Sequence, residues 1–399
     1  MADRESGSRW QPSYVTESSL SVPSGTAFTK TRLLLSSEGI VQKRSNLQSQ
    51  QAVGDRSVAQ GRLGNKTNSF KASGELSYGT FEDFIASACM AAWVAAGTAI
   101  SALSVTVVAG TTNTMAATGI GGAAGSLIAA GDYVKVSGFT GDYVANNGYF
   151  KVTTRGADLL TLAEAKHPET GTSLLTAASA RAGITVQRCS YCITGSTEKS
   201  LAFEDAYLGT SLFWEALGCV ANGMTLGIGL DAIVTCGFDF IAKSIVGPAA
   251  TKYAVSYTDA SVTLPIRATD CVLIFDAVPV ATVTKLDLAM ANQRSPQFSI
   301  GLAEATGISY GRSNLTGNMS LYLETSAFWT KYAAETRFAL GLKFMDSAGL
   351  LGYAVDVPRC FITDDTFQKS ETDVIQNIPF QVEKDATSGL INWRWWKLA

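Results

Sequence analysis

The sequence predicts a mainly β protein: two tandem β-sandwich or barrel units, each with a short flanking α-helix, and a small β-domain inserted into the first. Three observations predict it. A stretch that switches from strand period to helix period occurs twice. The segments flanking it recur in the same order around both occurrences. Short alternating strands between residues 95 and 194 interrupt the first occurrence only.

The first switch lies between Ser69 and Trp93. Ser69, Lys71, Ser73, Glu75 and Ser77 alternate with Phe70, Ala72, Gly74, Leu76 and Tyr78, the period of a half-buried strand. After Gly79, residues Phe81, Phe84, Ile85, Ala88 and Cys89 form one apolar helical stripe. Thr80 with Asp83 three residues on predicts the cap of that helix. The second switch runs from Asn314 to Ala333. Thr316, Asn318, Ser320, Tyr322 and Glu324 alternate with Leu315, Gly317, Met319, Leu321 and Leu323, and Ser326 then leads a helix bearing Phe328, Trp329 and Tyr332. Leu76 matches Leu323 and Phe81 matches Phe328 without a gap. Upstream, Val22–Leu35 parallels Val278–Leu288; downstream, Asp231–Lys243 parallels Asp373–Lys384. Four segments in one order imply an internal duplication.

Composition fits a chain with substantial cores. Apolar content is high, charged residues are only 16 %, and the net charge of −3 does not predict a general polyanion binder. Seven cysteines at irregular spacing predict free thiols, not a disulfide framework. The polar start of the chain predicts no signal peptide. Residues 86–109 carry no charge, but Ala, Ser, Thr and Gly dominate and Gly97 divides them, so a helix passing into a strand is expected and no membrane partner.

In order, residues 1–27 read as a polar arm. Residues 28–94 hold the first unit's opening part, with a strand from Phe28 to Ile40. Val41–Thr67 has no apolar period and carries Lys43, Arg44, Arg56, Arg62 and Lys66 against the single Asp55. A loop of that length is usually functional or disordered: one reading is a floppy surface loop, the other an arm whose charge suits ordering on a neighbouring subunit. The small β module spans 95–194, residues 195–247 complete the first unit, 248–270 connect, and 271–399 form the second unit.

Catalytic signatures are thin. The only histidine, His167, precedes Pro168 in a polar turn and reads as a solvated imidazole. Gly307–Gly311 has the G-x-S-x-G form around Ser309, but no histidine follows it to serve as base. Gly119–Ala124 approximates a dinucleotide fingerprint with no proper helix after it, and Cys189–Cys192 is a lone C-x-x-C. No enzyme, cofactor or metal is expected.

The run G-E-L-S-Y-G-T-F-E-D-F-I-A-S-A, preceded between Ser49 and Gly64 by a loop of the form S-x-x-Q-x-x-x-D-R-x-V-A-x-x-R-x-G, resembles the major tail tube proteins of bacteriophages with long, non-contractile tails. The resemblance covers the first unit outside 95–194 and reaches the second through the internal likeness. It implies tail-tube-type β-sandwich units and a structural virion protein, made in the host bacterial cytoplasm and placed in the tail. It further implies stacked rings forming a conduit for double-stranded DNA, which passes without specific binding. Other implied partners are a tape measure protein during assembly and the tail terminator and distal tail proteins. Two units per chain imply homotrimeric rings with pseudo-sixfold symmetry. Arg44, Arg56, Arg62 and Lys66 are then candidates for an inter-ring loop. Lys71, Ser73, Glu75, Ser77, Asn318, Ser320, Tyr322 and Glu324 are lumen candidates. The alternative is a virion decoration or adhesion protein whose inserted module binds carbohydrate or a receptor. A hydrolase using Ser309 is the third option.

Overall fold

A computed structural model describes residues 9–23, 28–36, 39–48, 61–122, 128–163, 172–261, 263–276, 278–280, 282–346, 348–369, 373–384 and 393–399. The chain opens with β1 (Trp10–Ser19), β2 (Val22–Pro23), β3 (Thr29–Arg32), β4 (Ile40–Leu47), β5 (Arg62–Glu75) and α1 (Glu82–Cys89). Then come β6 (Ile100–Val108), β7 (Asn113–Ala116), β8 (Tyr133–Ser137), β9 (Gly148–Arg155), β10 (Leu159–Ala163) and β11 (Ala178–Arg188). After these follow β12 (Ser190–Ile193), β13 (Leu201–Tyr207), β14 (Leu212–Gly229), β15 (Thr235–Ala242), β16 (Ser244–Ala249) and β17 (Ser256–Thr258). The remainder holds β18 (Cys271–Phe275), β19 (Val278–Val280), β20 (Val283–Ala291), β21 (Ser295–Gln297), β22 (Gly307–Ser309) and β23 (Asn314–Tyr322). It ends with α2 (Ala327–Ala333), β24 (Phe338–Met345), β25 (Gly352–Ile362), β26 (Thr366–Lys369), β27 (Val374–Val382) and β28 (Arg394–Leu398). The protein is mainly β.

One long antiparallel sheet runs through both halves in the order β4-β5-β15-β14-β20-β23-β27-β26. Its pairing register repeats. Phe70 lies opposite Ile40 and Phe240; Gly317, at the equivalent place in β23, lies opposite Leu288 and Phe380. A second layer repeats as well: β1-β13-β14-β16 in the first half answers β18-β24-β25-β28 in the second. The bulge in β13–β14 between the Leu201–Cys219 and Phe203–Ala216 pairs recurs between Phe338–Cys360 and Leu340–Val357. β14 and β25 each bend from one layer into the other, which is how a sandwich shares a strand between sheets.

The apolar positions of the alternating strands fill the space between layers. Phe70, Ala72, Phe238 and Phe240 face Phe203 from the second layer, and Phe70 stacks on Phe203 at 3.9 Å. Phe81, just before α1, and Phe84, Ile85, Ala88 and Cys89 of α1 are all buried there. A buried ion cluster ties the connector to the first half: the Lys30 ammonium lies 2.9 Å from Glu204 and 2.5 Å from Glu215, and the Tyr257 hydroxyl donates to Glu204 at 2.5 Å. Three charges out of water are tolerable only when mutually bonded.

Strands β6 to β11 form a closed barrel in the order β10-β7-β6-β11-β8-β9, with β10 pairing again to β9. It has a core of its own around Val105, Val134, Val152, Leu160 and Ile184. The barrel also packs against the second half of the chain. Tyr133 and Tyr149 pack with Ala354, Trp396 and Leu398, Lys343 donates to the Tyr149 carbonyl at 2.7 Å, and Lys151 pairs with Asp356.

Several expectations change. The described part of the arm at residues 1–27 is strand: β1 pairs with β13, and Tyr14 is buried with its hydroxyl donating to Asp83 at 3.0 Å. Phe28–Ile40 is two strands, β3 and the start of β4, because they pair with different neighbours. The match of Val22–Leu35 to Val278–Leu288 holds only at its start. β2 flanks β1 as β19 flanks β18, but β20 takes the place of β4 rather than of β3. α1 begins at Glu82, since the Thr80 hydroxyl bonds to Ser77 at 2.6 Å instead of capping the helix.

Candidate assembly surfaces

The outward side of the long sheet is polar because every second residue of its strands is polar or small. Lys71, Ser73 and Glu75 of β5 stand beside Thr235 and Asp239 of β15, then Thr225, Lys285, Asp287, and Thr316, Asn318, Ser320 and Tyr322 of β23. Both lysines have their charge answered next door: Lys71 by Asp239 at 3.5 Å and Lys285 by Asp287 at 2.6 Å. Ser320 donates to Asn377 at 2.7 Å. With Glu75 unanswered by any described cation, the face is close to neutral and on balance acidic.

Six of the eight lumen candidates lie on this face: Lys71, Ser73, Glu75, Asn318, Ser320 and Tyr322. Two do not. Ser77 is buried, because β5 ends at Glu75 and the chain turns inward to bridge Pro265. Glu324 is exposed but lies beyond the end of β23, beside α2. Asp239, Asp287 and Thr225 also lie on this face; the likeness between the halves carried no information on which face β15 and β20 present there.

The stretch read as a long loop is, where described, a protruding hairpin of β4 and β5. Its β4 residues are exposed from Val41 to Leu47. Two strands wetted on both sides have no buried face and hence no apolar period. Arg44 and Arg62 are exposed on it, and Arg44 donates across the hairpin to the Gly64 carbonyl at 3.1 Å. Arg56 lies outside the described residues. Lys66 is engaged within the chain: it pairs with Glu304 at 2.5 Å, and its amide donates to the Ala303 carbonyl at 2.9 Å. The root of the hairpin is held by Asp205, which accepts from the Ile40 amide at 2.7 Å and the Trp10 indole at 3.1 Å. Burial pushes the Asp205 carboxyl up to about 6.

The two ends of the long sheet are open. Among the described residues β4 pairs only with β5, and β26, exposed along its whole length, only with β27. An open edge is a template for another strand.

Among the described residues the serine, cysteine and glycine motifs singled out by the sequence lie apart from one another. The Ser309 hydroxyl donates to the Ser295 carbonyl at 3.1 Å in the small β21–β22 hairpin. Burial pushes the Cys189 thiol up to about 12, and all seven cysteines are free. Gly119–Gly122 lie in a turn held by Asp158, whose carboxylate accepts from the Gly119 amide at 2.7 Å. His167 lies outside the described residues. Among the described residues no group of histidine, cysteine, aspartate and glutamate is placed to hold a metal, and no helix is long and apolar enough to cross a membrane.

No curated protein matches the chain. A family model described as phage tail tube protein matches residues 7–382, and with its open-edged sheet and polar face the chain belongs to that family.

Proposed function

We propose that three chains close into a ring, that rings stack into the tail tube, and that the polar side of the long sheet lines a conduit for double-stranded DNA. The observation that carries this is the β14–β20 pairing, Gly223 to Gly229 against Ala291 to Lys285. There the last strand of one half meets the first strand of the next within a single polypeptide. The equivalent strands at the free ends are β26 and β4. Repeating the junction between chains sets Phe367 opposite Ile40 of the next copy and leaves no open edge.

Barrel geometry supports a count of three. Eight strands per chain, ~4.8 Å apart and tilted ~40°, give three chains a lumen about 38 Å wide between inward side chains. Two chains would leave only about 22 Å by the same reckoning, too tight for a hydrated duplex, and six would roughly double the backbone diameter. A wall whose lysines are already paired offers phosphates little to bind, so DNA slides. The exposed Arg44 and Arg62 of the hairpin are placed to reach a neighbouring ring. A helical reconstruction of tubes grown from the pure protein tests the count: three chains per ring are expected, and six would overturn the proposal.

An accessory adhesive role for the β6–β11 barrel is the second reading. Its favouring observation is that the barrel has a complete core and adds no strand to the long sheet.

A further inference from the structure

α1 and α2 hold equivalent places after β5 and β23, yet one is enclosed and the other bare. The entry to α1 is covered by the second half of the chain. The Gly79 amide donates to the Tyr353 hydroxyl at 2.9 Å, the Tyr353 ring lies 5.3 Å from Tyr78, Lys397 pairs with Glu82, and Asn292 donates to the Ala88 carbonyl at 2.9 Å. No residue of α2 is buried. Trp329 is 49 % exposed, Leu323 42 % and Phe367 41 %, around a hollow of about 490 Å³.

We propose that this hollow is the docking site for the first half of a second copy, at Leu212, Trp214 and Ala250. The inference rests on the ring reading above and names its outer contact. The repeated bulge fixes the equivalence: Cys219 answers Cys360 and Ala216 answers Val357, so counting back puts Leu212, Phe213 and Trp214 at the places of Tyr353, Ala354 and Val355. Tyr353 and Val355 are buried in the main core and Ala354 against the inserted barrel, whereas Leu212 and Trp214, at the places of the first two, are only half-buried. Apolar surface left wet on two faces that the internal junction already shows in contact is what a repeated interface predicts.

The charges agree. By the register of β16 and β28, the place of Lys397 falls one residue beyond Ala249, at Ala250, and the place of Glu82 falls at Trp329. Inside the chain the contact is an ion pair; between chains both members are apolar. A change of one member alone would bury an unpaired charge. The paired replacement keeps the two surfaces complementary while distinguishing the inner junction from the outer one, so each half selects its proper neighbour.

The test uses full-length protein under assembly conditions. A Trp329→Cys, Ala250→Cys double variant is oxidised after tube formation, and chain mass is read on a denaturing gel. Disulfide-linked dimers and trimers are expected, absent from each single variant. Trp329→Glu should raise the concentration needed for assembly by roughly ten-fold or more while leaving the monomer's melting curve unchanged. Wild-type tubes with no inter-chain cross-link in the double variant, and a Trp329→Glu protein that assembles normally, would overturn this contact and leave the ring reading standing. A cross-link confined to single chains would also overturn it. Wild-type protein that stays monomeric would overturn the ring reading and this contact together.

Discussion

The β6–β11 barrel and the long sheet solve the same problem in opposite ways. Every strand of the barrel is paired on both sides, and its core at Val105, Val152 and Ile184 is complete. The long sheet has a core on one face but stops at β4 and β26 with backbone groups unpaired by any described strand. Closure removes the edge; leaving it open keeps a site of growth. The open edges of β4 and β26 are therefore candidates for strand pairing between copies.

The largest expected effect comes from spoiling one of those edges. Proline at both Phe367 and Gln368 removes an outward N–H whichever way β26 alternates. Folded, soluble protein that forms no tubes by negative-stain microscopy is expected; normal tubes would show that the edge is not used. Next is the contrast with the barrel. Ile184→Ala should cost about 2–4 kcal/mol of local stability, measured by hydrogen exchange in β6 to β11. Assembly should be unchanged, and a loss of tubes would mean that the barrel shares in polymerisation.

The smallest effect is expected at Asp205, which anchors the root of the open-edged hairpin. Its folded pKa of about 6 exceeds the ordinary 3.8, so the folded protein takes up the proton first as pH falls. The stability from this group is complete below about pH 4 and is lost as pH rises through 6. The difference in unfolding free energy between wild type and Asp205→Asn should shift by on the order of 2 kcal/mol from pH 4 to 7. A difference that stays flat would mean the carboxyl is not desolvated.

Much of this was legible in the sequence because period follows burial. The alternation in β5 and β23 marked both faces correctly as far as the strands extend, and it failed at Ser77, just past the point where β5 gives way to a turn. β1 was misread because polar composition outweighed its Trp10 and Tyr14, whose packing partners lie far along the chain in β13 and α1. The hairpin of β4 and β5 gave no signal, since both of its faces are wet. Residue likeness also hid a substitution inside the repeat. Phe70 in one half is Gly317 in the other, where an added methyl group would sit 2.2 Å from the Phe380 ring. The Phe380 ring lies over Gly317, whereas its counterpart Phe240 stands beside a second aromatic, Phe70, so the equivalent pairs pack differently in the two halves.

The two halves are alike in their sheets but not in what leaves them at the rim: the first continues its sheet strands into the β4–β5 hairpin, and the second sends out residues 292–313, which form the separate β21–β22 hairpin. The proposed ring of three chains would present protrusions of alternating shape. Six identical projections would let each layer settle on the one beneath in six indistinguishable ways. Alternation leaves three, a third of a turn apart, and halves the chances for a layer to lock on in the wrong rotation as the filament lengthens.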